Sequence, residues 1–192
     1  MKDVINFLFE TGMLKKTPRS GFQFLGSGGE SVAEHILGTL FVAYTLCKMM
    51  PEADESKVLK LCLFHDLPEA RTGDMNYVNK KYVDVNEGKA VQELTAPLFF
   101  GEEIKSSIDE FNAQQTPEAI IAHDADQLAL ILLLKEYGDL GNKYSGEWIE
   151  YATKRLDSDN AKKMAEYILQ TDSSEWWFKD KGGWWINGNH QK

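Results

Sequence analysis

The chain of 192 residues has only two cysteines and five prolines. Cys47 and Cys62 stand apart among apolar neighbours, neither with a CxxC partner. They read as reduced core thiols in a reducing compartment rather than as a disulfide framework. Basic charge is also short: 21 lysines and arginines face 30 acids, a net charge of −9. That excludes general affinity for nucleic acid, which needs cations to displace counterions from phosphates. Any phosphate this protein binds must be met by a local basic group or a metal. No apolar run approaches the roughly 18 residues of a membrane span. The opening stretch Met1–Glu10 is amphipathic and broken by charge, unlike a secretory leader, so a cytoplasmic protein away from membranes is expected. There is no internal repeat, no low-complexity segment and no strand pattern longer than a few residues.

What is present is a globular composition, 43% hydrophobic and 27% charged, at a length suited to one domain. Apolar groups at Val4, Phe7, Leu8 and Leu14 predict a helix over residues 3–14, weakened near its end by Gly12. Lys15–Gly29 is a loop by composition, with Pro18 and several glycines. Ser31-Val-Ala-Glu34 has the form of a capping box and opens a helix to about Met50. His35 falls in its first turn, and Leu37, Leu40, Phe41, Tyr44, Leu46 and Cys47 are read as its apolar side. A second, more apolar helix runs from about Glu55 to His65-Asp66, and Thr72-Gly73-Asp74 ends the element. Residues 75–86 are irregular and are read as a flap. Helices follow over 86–99, over 101–113, from Thr116-Pro117 to about Tyr137, over 146–155 and over 160–170. The fold class is all-α, a compact single-domain helical bundle over 1–172. A tryptophan-rich tail over 173–192 is expected to pack on the domain or at a subunit contact.

Within this frame the pair His65-Asp66 is out of place. Neither side chain gains from packing at the end of an apolar helix, and an ionised carboxylate buried without a partner costs several kcal/mol. Three helices thus offer candidate ligands: His35, His65-Asp66, and Asp124 or Asp126. Neighbours on a helix point about 100° apart, close to the angle between adjacent ligands of an octahedral ion. Divalent Mn, Co, Zn and Fe accept such mixed imidazole and carboxylate sets. The plain alternatives are a core histidine at position 35, an Asp66–Arg71 ion pair, and solvated acids at Glu69 and Asp74. Of Asp124 and Asp126, two positions apart, one is expected to be exposed. His123 and His190 receive no role.

The order His35, His65-Asp66, Asp126 resembles the HD-domain metal-dependent phosphohydrolase superfamily. Four blocks narrow the likeness: Pro18-Arg19-Ser-Gly-Phe22, Glu30-Ser-Val-Ala-Glu-His35, His65-Asp-Leu-Pro-Glu69 with Thr72-Gly-Asp74, and Asp124-Ala-Asp126-Gln-Leu. They are similar to the blocks of its 5′-deoxynucleotidase branch, which hydrolyses deoxynucleoside 5′-monophosphates. The resemblance implies the HD-type helical fold, one divalent transition metal (Co²⁺, Mn²⁺, Zn²⁺ or Fe²⁺), a small nucleotide substrate and a homodimer. It further implies His35, His65, Asp66 and Asp126 as metal ligands, with Asp126 preferred over Asp124. Glu69 and Asp74 match the catalytic acids, Arg19 matches the phosphate-binding arginine, and Phe22 borders the substrate. Where many members carry a tryptophan near that arginine, this chain has Phe22 and Phe24. Two rival readings stand beside this one. The first is an HD phosphohydrolase for cyclic or polyphosphorylated nucleotides, and the second a non-catalytic helical metal-binding or interaction module.

Overall fold

The computed structural model describes residues 1–179, 182 and 184–188, and among these helices joined by loops are the regular elements, with a single isolated bridge between Pro18 and Ser31. Helix α1 (Lys2–Thr11) runs into a 3-10 turn at Gly12–Lys15, followed by the short α2 (Phe22–Leu25) and by α3 (Val32–Met49). Then come α4 (Glu55–Phe64), the one-turn α5 (Glu69–Thr72), a 3-10 turn at Asn79–Lys81, α6 (Glu87–Thr95) and α7 (Gly101–Ala113). The chain continues through α8 (Pro117–Asp139), α9 (Ser145–Thr153), α10 (Asp159–Gln170), α11 (Glu175–Phe178) and α12 (Trp184–Asn187).

Among the described residues, side chains fix the starts of five helices. Ser31 Oγ accepts the N–H of Glu34, and the Glu34 carboxylate accepts the N–H of Ser31 in return, the reciprocal pair that the sequence predicts. Asp54, Asn86, Thr116 and Ser158 each accept the N–H three residues on, opening α4, α6, α8 and α10. Each such cap stabilises its helix by about 1 kcal/mol.

Helix α8 is the axis of the bundle. It packs against α3, α4, α7, α9 and α10, and it buries Ile121, Leu128, Ile131 and Leu134 almost completely. Each such aliphatic side chain contributes about 2 kcal/mol on removal from water. A second apolar cluster, built from Leu14, Val32, Ile36, Leu67, Leu94 and Ile104, joins the start of α3 to α6 and α7. Cys47 and Cys62 lie buried and unbridged.

One expectation about packing fails. Leu37, Phe41 and Tyr44 do not form the inward side of α3 but are 56%, 69% and 48% exposed. The inward side is Val32, His35, Ile36, Thr39, Val42, Ala43, Leu46 and Cys47, and it packs on α8. Because α3 carries apolar residues on both faces, periodicity alone cannot choose between them. In the described part of the tail, Trp177 meets Trp185 at 5.8 Å between ring centroids, while Trp176 is 86% exposed. His190 lies outside the described residues.

Candidate active site

The site forms where the first turn of α3, the end of α4 and the middle of α8 converge. His35 is buried on α3, with its Nε2 2.7 Å from Asp126 Oδ1 and 3.8 Å from Asp66 Oδ2. His65 closes α4, with its Nε2 3.2 Å from Asp66 Oδ2. Ligand atoms of His35, His65 and Asp126 fall within 4.8 Å of one another, and Asp66 borders both imidazoles. The four groups proposed from the sequence therefore share one small volume, although they come from three helices.

The donor set suits a divalent cation. His65 Nδ1 lies 2.7 Å from the Cys62 carbonyl, which must accept its proton, so Nε2 is the nitrogen left to the cluster. Metal-bound histidines are commonly oriented by just this second hydrogen bond to a carbonyl. His65 Nε2 is buried without a hydrogen-bond partner, as are His35 Nδ1 and the Glu30 Oε2 that it faces at 3.9 Å. At 3.2 Å from Asp66 Oδ2, His65 Nε2 has a charge partner but no well-formed hydrogen bond, a buried arrangement that an ion between them would satisfy. Electrostatics agrees. Burial opposes charge on His65, yet Asp66 and Asp126 raise its pKa to about 9. Without a cation the cluster thus recruits a proton. Burial likewise works against charge on Asp126, but His35, His65 and Arg19 hold its carboxyl well below the usual range.

Asp124 turns the other way. It is fully buried, correcting the expectation that one acid of the pair is exposed, and its two oxygens accept the N–H groups of Asp157 and Ser158 at 2.8 and 3.0 Å. It fastens α8 to the start of α10. His123, Asp124 and Asp157 do come close enough together to suggest a second ligand cluster. The hydrogen bonds to Asp124 already account for its carboxylate.

Arg19 completes the polar end. Its Nη1 lies 3.3 Å from Asp66 Oδ2, so Asp66 pairs with Arg19 and not with Arg71, which binds Glu10 and Glu93 instead. Burial works against the guanidinium charge, but Asp66, Asp126, Asp74 and Glu30 outweigh it and keep Arg19 charged. Glu69 behaves oppositely: burial first, then Asp66 and Asp74, push its carboxyl up to about 8. A carboxyl held near neutrality can take or give a proton at working pH. Asp74 Oδ2 accepts from both Ser20 N–H and Ser20 Oγ–H, at 2.5 and 3.2 Å.

These groups open onto a cavity of about 210 Å³ lined by Arg19, Phe22, Asp66, Glu69, Asp74 and Asp126. Its lining also includes Tyr77, Lys80, Gln127, Leu130, Trp148 and Arg155. None of these six was singled out from the sequence. Gln127 sits inside the recognised Asp124–Leu128 block, whereas Trp148 and Arg155 belong to α9 and its exit and carry no local spacing that marks them. Phe22 lies edge-on to Tyr137 at 5.6 Å, and Phe24 is 47% exposed in a groove next to the cavity. Asn76 accepts the N–H groups of Val78 and Asn79, which folds the irregular 75–86 segment so that Met75, Tyr77 and Lys80 reach the cavity wall.

Comparison with known proteins places this geometry in context. The HD-domain family matches residues 11–168. The 5′-deoxynucleotidase HDDC2 of Danio rerio is 30% identical over 149 residues, covering 74% of each chain. The 5′-deoxynucleotidase hdd1 of Schizosaccharomyces pombe is 28% identical over 187 residues, 90% of this chain and 92% of its own. Among solved structures, a conserved hypothetical protein from Pyrococcus furiosus superimposes with a TM-score of 0.74 at 27% identity, over 87% of this chain and 99% of that one.

Proposed function

The chain belongs to the HD-domain family, and from that premise we propose that it is a metal-dependent phosphomonoesterase releasing phosphate from deoxynucleoside 5′-monophosphates. The observation that carries this reading is the arrangement around Asp66. Two imidazoles and a second carboxylate meet it on one side, and Arg19 and the cavity meet it on the other. A helical module binding a structural ion would need neither the opening nor the guanidinium.

In this reading His35, His65, Asp66 and Asp126 hold one divalent ion. When bound, such an ion supplies Lewis acidity towards a phosphate oxygen and a water acidified towards neutral pH. Arg19 grips the non-bridging phosphate oxygens through its planar fork, a geometry that lysine cannot reproduce. Glu69, on the cavity wall beside Asp66 and Asp74, is the group placed to take the proton of the attacking water. Asp74, on the same cavity wall, steadies or protonates the leaving 5′-oxygen. The ion and Arg19 together reverse the field of an acidic site, which is how a chain of net charge −9 accepts an anion.

Phosphate release from deoxynucleoside monophosphates, measured with Mn²⁺ or Co²⁺ and again after chelation, tests the proposal. Glu69→Gln should lower kcat by about 10²–10⁴-fold while metal and nucleotide still bind. Undiminished turnover in that variant would remove Glu69 from the chemistry.

A further inference from the structure

Resting on that phosphomonoesterase reading, we propose that Trp148 is the platform on which the substrate's base stacks, and that Arg155 beside it selects bases with a carbonyl at the edge it faces. Arg19 and Asp66 line the same cavity as Trp148 and Arg155, and the latter two also line an adjoining, more apolar groove of about 420 Å³ with Phe24 and Tyr151. A phosphate held by Arg19 would leave its nucleoside in the volume that the indole and the groove border. Sites for such ligands usually combine an apolar wall with a few convergent polar groups.

The indole is set against the loop that carries Arg19. A Cβ on Gly21 would lie 3.2 Å from Trp148 Cζ3 and Cη2, so the missing side chain lets the ring sit against the loop that carries Arg19. That loop's own aromatic, Phe22, is engaged edge-on with Tyr137 and packs on the main apolar cluster. Trp148 consequently offers a broad ring from a different helix, one that packs on the core and lines the cavity.

Arg155 supplies the directional part. Its Nη1 donates to Gln127 Oε1 at 3.0 Å, and its guanidinium carbon lies 5.1 Å from the Tyr77 ring centroid. Among the described residues it pairs with no carboxylate, although the chain has a large excess of acids. Gln127 in turn donates from Nε2 to Asp126 Oδ2 at 2.7 Å, which fixes the amide orientation and presents only its oxygen to Arg155. The wall thus shows N–H donors to a base edge. Guanine, through O6 and N7, or a pyrimidine carbonyl satisfies them, whereas the 6-amino group of adenine sets donor against donor.

The experiment compares dGMP, dAMP and deoxyribose 5-phosphate, which keeps the sugar and phosphate but has no base. Wild type, Trp148→Ala, Trp148→Phe and Arg155→Met are assayed with Mn²⁺, and binding is read separately by equilibrium dialysis. Trp148→Ala should raise KM and Kd for both nucleotides about tenfold or more, with Trp148→Phe in between, while deoxyribose 5-phosphate shifts by less than about twofold. Arg155→Met should erase the preference of wild type for dGMP over dAMP. Equal effects of Trp148→Ala on all three compounds, or none on the nucleotides, would overturn the platform. A wild type that prefers dAMP would overturn the role of Arg155. Tight nucleotide binding without turnover would sink the phosphatase reading alone and leave the binding arms of this test in force. No nucleotide binding at all would sink both.

Discussion

Asp74 takes the backbone N–H of Ser20 at 2.5 Å, and so ties the turn after α5 to the loop that carries Arg19. The carboxylate is therefore an anchor as well as a candidate acid. Substituting it in two ways separates these roles. Asp74→Asn keeps an acceptor for Ser20 but loses the carboxyl group, so kcat should fall with KM within about twofold. Asp74→Ala also frees the loop, and KM should then rise about tenfold as Arg19 loses its fixed position. Identical kinetics for the two variants would show that the Ser20 contact does not matter.

Asp124 and Asp126 should respond oppositely to mutation. Asp124→Ala strands two backbone N–H groups at the start of α10 and should cost about 2–4 kcal/mol of stability. Its affinity for Mn²⁺ should stay near wild type in calorimetry. Asp126→Asn should lower that affinity by at least about 100-fold, because a charged ligand is lost. Stoichiometric Mn²⁺ binding by Asp126→Asn would rule this residue out as a ligand.

Arg19→Lys keeps the charge and loses the fork. KM for a deoxynucleoside monophosphate is expected to rise about tenfold, and to rise further in Arg19→Ala, which also leaves Asp66 without its cation. Equal KM values for wild type and Arg19→Lys would mean that point charge suffices.

The metal-free protein should show a pH signature. His65 is lifted by its carboxylate neighbours to about 9, above its unfolded value of 6.5. Its contribution to stability is thus fully present below about pH 6.5 and is lost as pH rises through about 9, on the order of 3 kcal/mol in all. Denaturant titrations of chelated protein between these pH values should follow that loss, and His65→Gln should abolish it. Added Mn²⁺, which replaces the proton, should flatten the curve, since ligands must be deprotonated to bind.

Much of this was legible in the chain because its signals are local. The Ser31/Glu34 box and the Thr116-Pro117 start are read within four residues and recur in the structure at those positions. The order of His35, His65-Asp66 and Asp126 was equally visible, with His35 and Asp126 on capped helices and His65-Asp66 in the turn that ends α4. What sequence spacing could not give was partnership across helices. Leu37, Phe41 and Tyr44 resemble core residues until α8 is seen on the other side of α3. Asp124, fully buried, satisfies backbone groups more than thirty positions away. Trp148 and Arg155 reach the cavity only because α9 packs along α8, a contact that no periodicity announces.

Asp124 and Asp126 ride on one continuous rod, two steps apart and so about 200° around its axis. One clamps the scaffold while the other looks into the cavity, which means their phase is shared. A single residue deleted between Thr116 and Asp124 would turn both by about 100°, unlatching α10 and emptying the chemical centre in the same stroke. The stretch from the Thr116 cap to Asp124 thus works as a ruler, tolerant in identity at many positions yet intolerant of any change in length.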